Sequence, residues 1–97
     1  MNSDTVIKFL NSMAFRNQSE AMLSGILSTA ELESLNQRIQ ILAYLSLGHT
    51  QRSIAKRLKV GVATVSRGAA ALKQSAALQQ YMLSNAELLT SNTNIEE

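Results

Sequence analysis

The segment that most constrains the fold runs from Thr50 to Lys73 and reads TQRSIAKRLKVGVATVSRGAAALK. Thr50 is a capping residue for a short helix over about 51–58, and Lys59-Val60-Gly61 then interrupts the helical pattern as a tight turn. A second helix follows the turn, and small Ala55 lets it cross the first one closely. The inward-facing residues predicted for this pair are Ile54, Ala55, Leu58, Val60, Val65, Ala69 and Leu72, with Val62 partly buried. The pattern therefore predicts a helix-turn-helix motif rather than one continuous helix.

The charge of the chain is concentrated in this same region. The net charge is only +2, but no Asp or Glu lies between Glu33 and Glu87. This acid-free block carries seven of the nine basic residues, namely Arg38, Arg52, Lys56, Arg57, Lys59, Arg67 and Lys73. Because duplex DNA is a dense polyanion, such a block suits a DNA-facing surface. An ordinary helical hairpin with a solvated basic face is the alternative interpretation of charge alone.

The outward face of the second predicted helix favours the DNA interpretation. It carries small or hydrogen-bonding side chains that allow a helix to enter the major groove, which is about 12 Å wide. These residues are Ala63, Thr64, Ser66, Arg67 and Ala70. A helical protein-interaction or dimerisation module remains the alternative from another functional class, because the apolar N-terminal residues would serve it equally well.

Three helices are predicted before the motif, and the first two have apolar stripes without an obvious partner. Asp4 can cap the first helix, whose stripe is Val6, Phe9, Leu10 and Met13. After a polar break at 16–18, a short helix spans about 19–27. Ser28 and Glu31 then form a capping box that starts a long third helix, and Gly48 ends it. Its predicted core stripe consists of Leu32, Leu35, Ile39, Leu42 and Leu45.

One more helix is predicted after the motif. Ser75 can cap it, and it extends to about Leu89 with Leu78, Tyr81, Met82 and Leu88 as its apolar residues. Residues 90–97 are polar, and a frayed tail is expected there. The sequence thus predicts a single all-α domain over 1–97, with core and dimerisation helices at 1–48, the motif at 50–73 and a last helix at 75–89.

Composition limits the cellular compartment and the kinds of functional site that can be expected. There is no cysteine, so disulfides and thiolate metal sites are excluded, and no metal is expected. No apolar run approaches the roughly 18 residues of a membrane span and no leader pattern precedes the helices, so a cytoplasmic protein is expected. His49 is the one histidine and has no carboxylate or nucleophile at useful spacing, so no catalytic residue and no enzyme activity is predicted. A chain of 97 residues builds only a modest core, and a partner subunit would help it.

From about Phe9 to Leu88 the chain resembles the Trp repressor superfamily. The segment LSTAELESLNQRIQILAYLSLG at 27–48 is similar to the core helix of that family. QRSIAKRL, followed by VGVATVSRGAAALK, is similar to its two DNA-binding helices, and Thr-x-x-Arg-Gly before Leu-Lys is the strongest mark. The resemblance implies a six-helix fold and an intertwined homodimer that represses transcription. Each subunit would present one recognition helix to half of a near-palindromic operator in double-stranded DNA.

The resemblance also implies L-tryptophan as corepressor. Arg38 and Arg67 correspond to the two arginines that flank the indole ring in the family, since a guanidinium can stack on an aromatic ring and bind a carboxylate. A phosphate contact or a surface ion pair is the alternative role for Arg38. The carboxylate would contact Arg67 and the hydroxyl of Ser28, and the partner chain's carbonyls near Gly25 and Leu27 would take the amino group. Residues lining the pocket floor would be Thr64 and Gly68.

For DNA, the resemblance assigns base-edge contacts to Arg52, Val62, Ala63 and Ser66, and phosphate contacts to Gln51 and Lys73. The chain departs from the family pattern at three places. The turn after Gly48 is one residue shorter, Ala71 replaces a ligand-holding serine, and Lys59 stands where the interhelix turn usually has glycine. A tryptophan-independent DNA-binding regulator of the same superfamily is therefore the alternative function.

Overall fold

A computed structural model describes residues 3–15 and 19–90, apart from the side chains of 13–15. The described residues form six α-helices and no strand, which confirms the predicted fold class. The helices are α1 (Asp4–Phe15), α2 (Ser19–Ile26), α3 (Thr29–Ser46), α4 (Gln51–Leu58), α5 (Val62–Gln74) and α6 (Ala76–Thr90). The chain divides into two compact units at Ser34, within α3. The polar break predicted at 16–18, the side chain of Met13 and the tail at 91–97 lie outside the described residues.

The N-terminal unit contains α1, α2 and the start of α3. Its capping box is present as predicted: the Ser28 amide donates to Glu31 Oε1 at 2.8 Å, and the Glu31 amide donates to Ser28 Oγ at 3.1 Å. None of its described side chains is buried, and the apolar side chains of Val6, Ile7 and Ile26 are 56%, 52% and 61% exposed. This unit therefore has a capped start of α3, but its described residues enclose no core of their own.

The C-terminal unit contains two apolar clusters on different sides of α3. The first packs Ile41 and Tyr44 of α3 against Ile54 and Ala55 of α4 and Val65 of α5. The second packs Ala43 against Met82 and Ala86 of α6, with half-buried residues of α3, α5 and α6 around them. Burial of apolar surface of this kind is the main favourable contribution to folding, so these clusters position the helix-turn-helix.

The sequence located α3 correctly but misjudged which of its residues are most buried. Ile39, Leu42 and Leu45 of the predicted stripe are half-buried, and Leu35 is 39% exposed. The deepest positions are instead Ile41, Ala43 and Tyr44. Because α3 contributes to clusters on two sides, its apolar residues do not follow a single stripe. A rule that assumes one buried face therefore finds residues that pack around the two clusters but misses the deepest ones.

The last helix shows a similar difference. Its predicted cap is present, since Ser75 Oγ accepts the Leu78 amide at 3.1 Å, and Met82 is buried as expected. Tyr81 and Leu88, however, are 55% and 74% exposed, while Ala86 is buried. The helix also includes Thr90, whose hydroxyl donates to the Ala86 carbonyl at 2.9 Å, so the predicted tail begins one residue too early.

Candidate nucleic-acid interface

The helix-turn-helix is built by local signals that agree with one another. Thr50 Oγ1 accepts the Ser53 amide at 3.1 Å and caps α4. The helix ends at Lys59, which adopts the left-handed conformation at φ 58° and ψ 48°. The amides of Lys59 and Val60 both donate to the Ala55 carbonyl and close the turn before α5. Residues 50–73 therefore form two helices joined by a three-residue turn, as the sequence predicted.

The angle between α4 and α5 is fixed by the buried residues of the first cluster. Ile54 and Val65 are fully buried, and Ala55 is 7% exposed. Val60 of the turn packs half-buried against them, which confirms its predicted role. With these side chains facing inward, the opposite face of α5 is directed to solvent.

Close packing at Gly68 adds a second constraint on α5. A Cβ atom at this position would lie 2.7 Å from Cγ2 of Ile41, and Ile41 is itself 2% exposed. A separation this short is below normal van der Waals contact, so any larger residue would require the Ile41 side chain or α3 to shift. The resemblance assigned Gly68 to the floor of a ligand pocket, and the structure adds a packing function that the sequence did not show.

The outward face of α5 has the small, accessible character that a groove-reading helix needs. Ala63, Ser66, Arg67 and Ala70 are exposed, and Val62 at the start of the helix is 48% exposed. Val62 was expected to be partly buried, and it is more open than that. Gly61, the N-cap residue of α5, provides no side-chain cap, so the first amides of the helix are not covered by one.

All seven basic residues of the acid-free block are exposed. Arg52 lies on α4, directly after Gln51, and Lys73 lies in the last turn of α5. Gln51 and Ser66, which belong to different helices, are brought together: the Ser66 hydroxyl donates to Gln51 Oε1 at 2.6 Å. The residues predicted to contact DNA therefore sit on the two helices of the motif, and two of them form a direct pair.

A cluster of aromatic and cationic side chains near the motif was not predicted. The Arg57 guanidinium lies 5.1 Å above the centre of the Tyr44 ring, and the His49 ring meets Tyr44 edge-on at 5.1 Å. A cation over an aromatic face is attracted by its quadrupole, so Arg57 also ties α4 to α3. The only signal in the sequence is the presence of two aromatic rings before α4, and nothing in their spacing specifies this contact.

Of the tryptophan-binding residues assigned by resemblance, Thr64 and Arg67 are in direct contact. Arg67 Nη2 donates to Thr64 Oγ1 at 3.2 Å, one helical turn away on α5. Arg38 is exposed on α3, and its guanidinium forms no hydrogen bond or ion pair with the described residues. Both arginines are exposed, and a guanidinium can stack its flat face on an aromatic ring.

The other three residues of that set belong to the N-terminal unit. Gly25 is exposed with no atom within 4 Å of a Cβ at its position, and Leu27 is half-buried. The Ser28 hydroxyl accepts the Glu31 amide through its oxygen, so its own proton can still be donated to a carboxylate. In donor and acceptor type these groups fit an amino acid.

An open groove of about 390 Å³ lies elsewhere in the C-terminal unit, between α3, α5 and α6. None of the residues assigned to tryptophan lines it. Its lining residues are Leu45, Ser46, Ala69, Leu72, Lys73, Gln79 and Leu83. Gln79 Nε2 donates to the Leu72 and Lys73 carbonyls at 2.8 and 3.3 Å, and so caps the C-terminal end of α5.

Within 3–15 and 19–90, no three His, Asp or Glu side chains come together as a metal site requires. Over the same ranges no helix combines the length and the apolar character needed to cross a bilayer.

The chain matches the Trp repressor protein family over residues 2–87. Curated relatives described as Trp operon repressor homologs are also similar. The protein of Vibrio campbellii is 36% identical over 70% of this chain and 69% of its own, and that of Photobacterium profundum is 39% identical over 70% and 67%. The Vibrio cholerae protein is 32% identical over 80% and 82%. The search of solved structures gave no match. Together with the six helices of the described residues, these similarities show that the chain belongs to the Trp repressor family, whose members are transcription regulators.

Proposed function

We propose that the protein is a sequence-specific transcriptional repressor of the cytoplasm that binds operator DNA through α4 and α5 as a homodimer. The observation that carries the proposal is the exposed, small-residue face of α5 within an acid-free region whose seven cations are all exposed. Clustered cations displace the counterions of DNA, and small outward side chains let the helix backbone approach the bases. The family membership supports the same function.

The proposed contacts fall into two classes. Arg52 is exposed at the start of α4 and can donate two hydrogen bonds to a guanine, while Val62 and Ala63 are apolar and suit a thymine methyl group. Lys73 provides a point charge for a phosphate. The uncapped amides at the start of α5 are further donors for an acceptor on the DNA.

Binding to duplexes selected from a random pool, measured by fluorescence anisotropy over a salt series, tests this function. Affinity should fall by about 0.9 log units per log of salt for each phosphate contacted.

Arg52→Ala should cost about 1–3 kcal/mol of binding free energy and relax the sequence preference at one base pair. Lys73→Ala should weaken binding to all DNA sequences alike and lower the salt slope by about one unit. Lys8→Ala removes the same charge from α1, outside the block, and serves as the matched control. Absence of binding even at low salt, with and without tryptophan, would favour the interaction module.

The homodimer in this proposal is supported by apolar side chains that one chain leaves exposed. Ile7 and Leu10 of α1 are 52% and 43% exposed, and Leu83 and Leu88 of α6 are 73% and 74% exposed. A second copy that covers such surface would gain about 25 cal/mol per Å² of apolar area removed from water. Sedimentation equilibrium should therefore give a dimer, and Leu10→Asp should shift the population toward monomer.

L-tryptophan is proposed as the corepressor. Arg38 and Arg67 would hold the indole ring, and Arg67 would also bind the carboxylate. Titration calorimetry with L-tryptophan should give heat that is lost in Arg67→Ala and reduced in Arg67→Lys, which keeps the charge but not the flat donor fork. DNA binding without any heat at millimolar tryptophan would establish the tryptophan-independent regulator instead.

A further inference from the structure

The hydrogen bond between Gln51 and Ser66 determines which atoms each side chain has left for a ligand. Ser66 donates its hydroxyl proton to Gln51 Oε1, across the turn and over 15 residues of sequence. A hydroxyl has one proton, so in this arrangement Ser66 retains only acceptor capacity. The oxygen and the nitrogen of an amide lie on opposite sides of its planar group. Holding Oε1 at Ser66 therefore directs Nε2 away from it.

The two protons of Gln51 Nε2 have no acceptor among the described residues. Gln51 is half-buried at the first position of α4, so its side chain is less free than one on an open surface. The hydrogen bond thus orients a pair of amide donors beside the exposed face of α5. Acceptors of the right kind on DNA are phosphate oxygens and, in the major groove, N7 and O6 of guanine, N7 of adenine and O4 of thymine.

We infer that Ser66 is a positioning residue for Gln51 and that Gln51 Nε2, rather than the Ser66 hydroxyl, donates to an acceptor on DNA. This rests on the proposed function, and it revises the resemblance, which gave Ser66 a base-edge contact of its own. The gain from such an arrangement is preorganisation, because the amide is already oriented before binding and loses less rotamer freedom on the DNA.

A double-mutant cycle on DNA affinity separates positioning from direct contact. Ser66→Ala in the wild-type background should weaken binding roughly three- to tenfold, the size expected for one hydrogen bond. In the Gln51→Ala background the same substitution should change affinity less than about twofold, because the side chain it positions is gone. Ser66→Thr keeps the hydroxyl and should retain wild-type affinity within about twofold. Ser53→Ala, an exposed serine on α4, is the matched control and should have no effect.

Modified DNA provides a readout that a loss of fold would not produce. Duplexes with one modified position remove one acceptor at a time: 7-deazapurines lack N7, 2-aminopurine lacks O6 of guanine, 5-methyl-2-pyrimidinone lacks O4 of thymine, and a methylphosphonate lacks one phosphate charge. One modification should weaken the wild type and Ser66→Thr but leave Ser66→Ala and Gln51→Ala unaffected, and its type identifies the acceptor as base or phosphate. Thermal unfolding of each variant should show the same midpoint.

Equal losses from Ser66→Ala in both backgrounds would overturn the inference, since Ser66 would then contact DNA itself. A Ser66→Thr variant as weak as Ser66→Ala would overturn it as well. In both of these cases the wild type still binds, so the proposed function survives. A wild type that binds no duplex at low salt would overturn the proposed function and this inference with it.

Discussion

The two units of the chain bury their apolar residues to very different extents. In the C-terminal unit Ile41, Ile54 and Val65 are each at most 2% exposed, and they pack together where α4 and α5 meet α3. In the N-terminal unit none of the described side chains is buried, although α1 and α2 are rich in apolar residues. The comparison indicates that the helix-turn-helix is specified by contacts within the C-terminal unit. The N-terminal helices instead have surface that a second copy is expected to cover.

The sharpest test of this difference is the same substitution in both units. Ile54→Ala should lower the free energy of unfolding by about 2–5 kcal/mol, because it leaves a cavity in a site that is fully buried. Ile7→Ala, at a position 52% exposed, should cost less than about 0.5 kcal/mol at low protein concentration. Urea denaturation at two protein concentrations measures both, and the Ile7→Ala loss should grow with concentration if a dimer covers α1. Equal, concentration-independent losses would contradict the comparison.

Two glycines extend the comparison from side chains to the backbone. Gly68→Ala should destabilise by about 1–2 kcal/mol, because the steric cost against Ile41 exceeds the roughly 1 kcal/mol gained in helix propensity. Gly25→Ala, in a helix with open space around it, should be neutral or stabilise by up to about 1 kcal/mol. Thermal unfolding of both variants gives the sign directly. A stabilising Gly68→Ala would mean that α3 and α5 do not approach as closely as described.

The sequence predicted the local structure well because helix starts and turns are encoded by neighbouring residues. The caps at Ser28, Thr50 and Ser75, and the turn before Val62, depend on hydrogen bonds that span three to five residues. The acid-free block was likewise visible as a charge pattern. These features needed no knowledge of how distant segments pack.

The long-range contacts were missed because they depend on how distant helices pack. The Gly68–Ile41 approach, the stacking of Arg57 on Tyr44 and the Gln51–Ser66 hydrogen bond each join residues from different helices. Burial on α3 was misassigned for the same reason, because its two faces serve two clusters. For the ligand residues the resemblance supplied roles that the residue pattern did not, and these roles remain predictions.

Helix caps should respond differently in the two units even though their chemistry is the same. Thr50→Ala removes the cap of α4 and should lower the free energy of unfolding by about 1 kcal/mol. Ser28→Ala removes the cap of α3 at its exposed end and should have a smaller effect on global unfolding, because that end can open locally. Amide hydrogen exchange should show faster exchange confined to the first turn of α3. An equal drop in the unfolding midpoint for both variants would argue against local opening.

The smallest expected effect concerns Lys59, where the stable region contains a strained residue. Its left-handed conformation at φ 58° costs a side-chain-bearing residue roughly 1 kcal/mol or more, and the family usually has glycine there. Lys59→Gly should therefore raise the free energy of unfolding by up to about 1 kcal/mol, while removing one exposed cation beside the recognition helix. If that cation contacts a phosphate, the salt slope of DNA binding should fall by about 0.9. Lys59→Ala, which removes the charge but keeps a Cβ in the left-handed conformation, separates the lost charge from the relieved strain. A Lys59→Gly variant that is more stable and has an unchanged salt slope of DNA binding would show that the Lys59 cation does not contact a phosphate. A more stable variant with a weaker slope would show that Lys59 contributes to DNA binding at a cost in stability.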